Sequence, residues 1–244
     1  MQTQRDGRSD TLTGPDRGPH LHRRVTSFRS RRSAFTEAQQ QTWERLWTVL
    51  GTEARPGAGP LDTDGWFGRS APIVLEIGCG TGTSTAEMAR QEPQLDVVAV
   101  EVYRRGLAQL LGRIDREGIP NIRLIRGHGL DVLEHMVRSD SLTGVRVFFP
   151  DPWPKSRHHK RRLLQPSTVA LIADRLRRGG VLHVATDHLG YAEQIAEVGD
   201  AEPRLRRVEG GRALPISVDR PITKYETKAQ HAGSAVAELL WEKP

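Results

Sequence analysis

The sequence predicts an α/β domain built on a mostly parallel sheet with helices on both faces, and three observations carry that reading. Short β-rich runs recur at Ile73 to Ile77, Val97 to Val100, Ile122 to Ile125, Val145 to Phe149 and Val181 to Ala185. Amphipathic segments, led by Thr83 to Arg90, Arg104 to Arg116 and Leu163 to Leu176, alternate with those runs, which is the pattern of parallel strands joined by crossover helices. The first run also opens directly into Gly78-Cys79-Gly80-Thr81-Gly82, a turn whose glycines tolerate positive φ and let backbone approach a ligand closely.

In chain order, the 244 residues fit one such domain with an appendage. Residues 1–22 hold too few large apolar groups to offset ordering entropy and are expected to be a disordered tail. Residues 23–70 form a basic arm, an N-terminal helix and a loop. Arg23, Arg24, Arg29, Arg31 and Arg32, with Val25 and Phe28 between them, read either as a phosphate-contacting arm or as a solvating one. The helix starts at Thr36 as N-cap, lays Trp43, Leu46, Trp47 and Leu50 along one face, and ends at Gly51. A loop rich in Gly, Pro and Asp follows over residues 51–70, and residues 71–244 make up the main domain. After a last helix near Ala192 to Val198, late strands at Leu205 to Val208 and Ala235 to Trp241 bring the count to seven, with strand seven antiparallel at the sheet edge.

Charge narrows the partners. Lys and Arg outnumber Asp and Glu by 36 to 30 and the excess is clustered, which favours a polyanionic partner over general solubility. Cys79 is the single cysteine, so an intrachain disulfide is excluded and nothing suggests a cysteine-based zinc site. No segment resembles a signal-peptide core or reaches membrane-spanning length, so a cytoplasmic location without membrane contact is expected. A monomer or homodimer with no obligatory protein partner fits the same facts.

The turn after the fourth run is the densest in chemistry. Phe148-Phe149-Pro150-Asp151-Pro152-Trp153-Pro154-Lys155 leads into Arg157, His158, His159, Lys160, Arg161 and Arg162. Pro150 and Pro152 lack the N–H a sheet ladder needs, so the strand stops and Asp151 sits at its carboxyl end, the edge where open α/β sheets bind ligands. One carboxylate and one aromatic ring beside a cationic run suit a nucleobase attached to a polyanion. The plainer alternative is a proline-rich turn before a solvated basic segment, with Trp153 packing the loop instead of stacking on a base. His158 and His159 are adjacent and no third ligand stands at a useful spacing, so no metal is expected.

The glycine turn points to an adenosine-containing cofactor. Glu101 ends the next strand 23 residues beyond Gly78, near the roughly 20-residue spacing of an acid that accepts from ribose hydroxyls. Thr85 and Ala86 stand where a dinucleotide fingerprint needs its third glycine. Glu76 puts an anion near the pocket floor, which suits an ammonium better than a phosphate, unless it merely caps neighbouring backbone amides. S-adenosylmethionine is therefore favoured over a nicotinamide dinucleotide.

Together these residues resemble one family, the bacterial tRNA (guanine-N7-)-methyltransferases, from Arg23 to Trp241. The resemblance rests on Leu75-Glu76-Ile77-Gly78-Cys79-Gly80-Thr81-Gly82, on the Phe148 to Arg162 stretch, on Ala185-Thr186-Asp187 with Tyr191-Ala192-Glu193, and on Arg220-Pro221-Ile222-Thr223-Lys224-Tyr225-Glu226. It implies a Rossmann-like class I methyltransferase fold using S-adenosylmethionine, and methylation of N7 of a guanine in the tRNA variable loop, position 46. It further implies that Glu76, Gly78, Gly80, Gly82, Glu101 and Asp151 contact cofactor, with Asp151 also the active-site residue. Lys155, Asp187 and the run Thr223, Lys224, Tyr225 and Glu226 fall where the family holds its substrate, and Arg157 to Arg162 where it touches RNA. Two positions depart from the family: His128 replaces an Asp that meets the adenine amino group, and His188 replaces an aromatic beside Asp187. His128, an Asp131 carboxylate or a backbone group remain open as the adenine contact, since a neutral imidazole accepts through its unprotonated nitrogen.

The implied chemistry asks little of a base. Guanine N7 has a free lone pair, so Asp151 is expected to orient the purine and stabilise its developing charge without deprotonating it. Two other functions remain open on the residues alone: a dinucleotide-dependent oxidoreductase, and an RNA-binding protein without catalysis.

Overall fold

The computed structural model describes residues 35–57, 59–208, 213–221 and 235–244. The expected tail, the basic arm from Arg23 to Arg32, and Thr223, Lys224, Tyr225 and Glu226 lie outside the described residues. Helix α1 (Glu37–Leu50) begins with a reciprocal capping box: Thr36 Oγ1 accepts from the Gln39 N–H and the Gln39 side chain accepts from the Thr36 N–H. Gly51 closes it, as the sequence indicated, and a side chain there would run into the Trp47 ring.

Among the described residues, eight strands form one sheet: β1 (Gly51–Glu53), β2 (Ile73–Ile77), β3 (Asp96–Glu101), β4 (Ile122–Arg126), β5 (Leu142–Phe148), β6 (Leu176–Thr186), β7 (Arg206–Arg207) and β8 (Ala237–Glu242). Their order is β1-β4-β3-β2-β5-β6-β8-β7, parallel throughout except that β8 runs antiparallel to both its neighbours. The seven-strand expectation is corrected at both edges. The stretch read as a loop donates β1, whose three residues pair with β4 and are too few to show a period. The other edge is the two-residue β7, which places the final strand inside the sheet. That loop also contains α2 (Thr63–Phe67), capped by Asp62.

The central strands are buried on both faces, which explains why the sequence shows continuous apolar runs there. On one face, α1, α3 (Thr83–Gln91) and α4 (Arg104–Glu117) pack on Val97, Ala99, Ile122 and Leu124. Trp43 and Trp47 stack at 4.0 Å, and the Arg104 guanidinium caps Trp43 at 4.7 Å. On the other face, α5 (Gly129–His135), α6 (Pro166–Arg175) and α7 (Leu189–Ala201) cover Leu75, Ile77, Val145, Val147 and Val184. Each such aliphatic side chain stabilises the fold by about 1.5–3 kcal/mol. The first face is completed by residues 214–220, with Ile216 packed against Val74 and Val181. Helix α5 was not foreseen, because its seven residues show barely two turns of periodicity.

Candidate active site

The chain runs outward from β2 through β3 to β4, then returns to lay β5 on the other side of β2. Ligands bind at such a reversal, outside the carboxyl ends of the strands. Three functional turns meet there: the glycine turn after β2, Glu101 at the end of β3, and Asp151 after β5. They share a cavity of about 730 Å³ whose lining includes Gly78, Glu101, His128, Asp151, Trp153, Lys160 and Arg161.

The glycine turn is built for close approach. Gly78, Gly80 and Gly82 hold φ of 82°, 57° and 72°. The Gly78 N–H donates to Val100 O at 2.8 Å, tying the turn to β3. The Glu101 carboxylate bridges two backbone donors, Gly80 N at 2.9 Å and Tyr103 N at 2.9 Å. Each of its oxygens keeps capacity for a further hydrogen bond. Thr85 has a positive role where a glycine was missed, because its hydroxyl donates to Glu76 Oε1 at 3.0 Å.

Glu76 is 3% exposed, and its Oε2 has no hydrogen-bond partner among the described residues. It does not cap neighbouring amides. Burial pushes its carboxyl up to about 7, while the Arg146 charge and the Thr85 hydroxyl pull the other way. Cys79 in the same turn is buried, and burial together with Glu76 and Glu101 drives its thiol up, so it is no nucleophile at neutral pH. Left-handed glycines, a pinned acid and an orphaned buried carboxylate fit a ligand with ribose hydroxyls and an ammonium group.

His128 occupies the N-cap of α5, where its Nδ1 accepts from the Leu130 N–H at 3.3 Å. In the neutral ring with Nδ1 accepting, the proton resides on Nε2. Its Nδ1 is engaged at the start of α5, and His128 itself lines the cavity beside Gly127 and Gly129. His188 does the same for α7, accepting from Tyr191 N at 3.1 Å.

The turn after β5 carries the second half of the site. Asp151 is exposed at the cavity wall, and no described residue hydrogen-bonds its carboxylate. Trp153 stands edge-on to His158 at 5.7 Å, with the Arg161 guanidinium 5.0 Å from its ring centre. The basic run folds as a 3-10 turn from Ser156 to Arg161, leaving Lys155, Arg157, Lys160 and Arg161 exposed with His158 and His159 half-buried. A touch of desolvation and the cations of Arg161, Arg157, Lys155 and Lys160 hold His158 below the usual histidine range. Asp187 is exposed just beyond β6, the neighbour of β5.

Arg162 departs from the rest of its run. It is 4% exposed, donates to Pro152 O at 2.7 Å and to Gln194 Oε1 at 2.5 Å, and lies 4.7 Å over the Tyr191 ring. The expectation that it touches RNA is corrected: a buried guanidinium committed to protein acceptors braces the Asp151 turn against α7.

A family model described as "Putative methyltransferase" matches residues 70–239. The tRNA (guanine-N(7)-)-methyltransferase of Mycolicibacterium gilvum is 71% identical over 92% of this chain and 89% of that protein. The enzyme of the same name from Mycobacterium avium is 65% identical over 96% and 93%, and that from Mycobacterium leprae 63% over 91% and 98%. The chain belongs to the tRNA (guanine-N(7)-)-methyltransferase family.

Sequence reasoning missed two residues that shape this family site. Gly106, in the first turn of α4, faces the glycine turn so closely that a Cβ on it would meet Gly80 O at 2.2 Å. A glycine inside an amphipathic helix was the available signal. Arg220 was quoted only as part of a motif, yet its guanidinium lies 4.9 Å from the Phe149 ring centre. No local pattern announces such a contact.

Proposed function

We propose that this chain transfers the methyl group of S-adenosylmethionine to N7 of a guanine in tRNA, at position 46 of the variable loop, producing 7-methylguanosine. The observation that carries the reading is the single cavity joining the glycine turn and Glu101 to Asp151 and the cations Lys160 and Arg161. A cofactor subsite and a polyanion-facing rim are thereby adjacent. When bound, the cofactor supplies a methyl group on a positively charged sulfur.

Glu101 accepts from ribose hydroxyls, Glu76 meets the ammonium, and the glycine turn leaves room for both. His128, which lines the cavity, lies against the adenine. Asp151 accepts from the guanine N1–H and exocyclic amine, turning N7 toward the donor and growing more favourable as positive charge reaches the purine. It removes no proton, because N7 needs none removed. Asp187 and Lys155, with the Thr223 to Glu226 run, complete the substrate contacts. Lys160, Arg161 and Arg157 grip phosphates without regard to sequence, so tRNA shape selects the guanine. A tRNA substrate implies a cytoplasmic location. Among the described residues, no helix is long and apolar enough to cross a membrane.

Incubation with unmodified tRNA and S-adenosylmethionine, followed by mass-spectrometric mapping, tests the proposal. A mass gain of one methyl on the variable-loop guanine supports it; methylation elsewhere, or none, overturns it.

A further inference from the structure

We propose that Arg220 is a positioning residue for methyl transfer, holding the Asp151 turn in its working geometry through the rings of Phe148 and Phe149; this rests on the role assigned to Asp151 above. Residues 216–220 run along β5 over the first sheet face and are pinned to it in order. At the start, Ile216 fills the space above Gly144, where a Cβ would meet it at 2.8 Å. Next, Ser217 N donates to Glu92 Oε1 at 2.6 Å and Ser217 O accepts from Arg146 at 3.3 Å, while Arg146 and Glu92 form a buried ion pair at 2.6 Å. At the end, the Arg220 guanidinium lies 5.6 Å from the Phe148 ring centre and 4.9 Å from that of Phe149.

The Arg220 side chain is 4% exposed and pairs with Glu238 Oε1 at 2.9 Å through Nη2 and 3.2 Å through Nε. The other Glu238 oxygen meets His183 Nε2 at 2.7 Å, and the buried His183 ring stands edge-on to Phe148 at 4.9 Å. One carboxylate from β8 thus fixes a guanidinium and an imidazole that bracket Phe148. A forked, planar cation is required, since it must meet a carboxylate and lie on aromatic rings at once.

The grip matters because Phe149 is a non-glycine residue at φ 50°, two positions before Asp151. Such backbone persists only where its surroundings over-determine it. Its N–H bond to Ala185 O at 2.8 Å is one restraint, and the Arg220 contact is a second on the ring side. Loosening it lets the turn relax and moves the carboxylate, and misplacement by about 1 Å costs on the order of 100-fold in rate.

The test compares Arg220→Gln, Arg220→Lys and Glu238→Gln with the unaltered protein, using single-turnover methylation of tRNA, KM for tRNA, calorimetric binding of S-adenosylhomocysteine, and amide exchange of peptides spanning residues 148–153 and 78–82. Arg220→Gln is expected to lower kcat roughly 10- to 100-fold with KM and S-adenosylhomocysteine affinity within about two-fold, and to speed exchange over 148–153 alone. Arg220→Lys is expected to restore thermal stability through Glu238 but recover kcat only in part, because it lacks the planar stack. Unchanged kcat per folded molecule, or unchanged exchange over 148–153, in Arg220→Gln overturns the inference. If that variant fails to fold, the same two readouts in Arg220→Lys and Glu238→Gln decide it. The exchange readout needs no catalysis, so a failure of the unaltered protein to methylate tRNA would remove the proposed function while leaving the Arg220 contact testable.

Discussion

The turns after β2 and β5 meet at one cavity but reach left-handed backbone by opposite means. After β2, three glycines take positive φ at no steric cost. After β5, Phe149 and Trp153 take φ of 50° and 44°, a conformation that costs on the order of 1–3 kcal/mol for each residue with a side chain. The first turn gives up side chains so that a ligand can lie against backbone. The second keeps them because its task is to aim a carboxylate, and surrounding contacts hold it: Arg162 on Pro152 O, Arg161 on Trp153, Arg220 on Phe149. A cradle and a clamp therefore differ in what mutation should do to them. Damage to the cradle should appear in cofactor binding, and damage to the clamp in the chemical step.

The largest effect should come from the clamp's working group. Asp151→Asn keeps the shape but loses the charge, and methyl transfer should fall on the order of 100- to 1,000-fold in single-turnover assays while tRNA affinity in filter binding stays near normal. A rate within a few-fold of the unaltered protein would end its assignment. For that protein the chemical step should be flat above about pH 6, since no base must be ionised. Gly106→Ala probes the cradle from behind. The added methyl must displace Gly80 O, so calorimetric affinity for S-adenosylhomocysteine should drop roughly ten-fold or more, with tRNA binding retained. Equal loss in both ligands would erase the distinction between the two turns.

The cradle was the more legible of the two in sequence, and the reason is physical. Glycine spacing and an acid at the end of the next strand are local patterns, so Gly78, Gly80, Gly82 and Glu101 could be placed together before any coordinates. The central parallel strands were equally plain, because strands buried on both faces read as apolar runs. The clamp is made of long-range contacts. Nothing near Arg162 distinguishes it from Arg161, yet one is buried on Tyr191 and the other is exposed. Short elements failed for a related reason: β1 and α5, and the place of β7 at the sheet edge, are fixed by pairing and packing with distant strands.

Glu76→Gln sharpens the cradle's chemistry through pH. The carboxyl is pushed up from 4.5 to about 7 by burial, so the folded protein holds a proton that the unfolded chain has released. Its contribution to stability is full below about pH 4.5 and is lost as pH rises through about 7. Without ligand, the unaltered protein should lose stability across that window relative to Glu76→Gln, as urea unfolding at a series of pH values would record. S-adenosylhomocysteine carries the same ammonium, which favours the ionised carboxylate. Its affinity should therefore rise with pH over the same window in the unaltered protein and stay flatter in the variant, by up to about ten-fold per pH unit. Parallel curves for the two proteins would show that no proton is exchanged at this residue.

The smallest expected effect separates two neighbours in the basic run. Arg161 is exposed beside Trp153, and Arg162 is buried with its donors on Pro152, Gly190 and Gln194. If Arg161 neutralises one phosphate, Arg161→Ala should weaken tRNA binding a few-fold and reduce the slope of log affinity against log salt by about 0.7–0.9. Arg162→Ala should leave that slope unchanged, since no counterion release depended on it. It should instead lower thermal stability and slow methyl transfer, because the half-buried Pro152 carbonyl loses its donor and the Asp151 turn loses its brace on α7. Two arginines adjacent in sequence would then differ in kind, one read by ionic strength and the other by melting and single-turnover rate. A salt slope that falls equally for both would mean that Arg162 reaches phosphate after all, and that the clamp opens when tRNA binds.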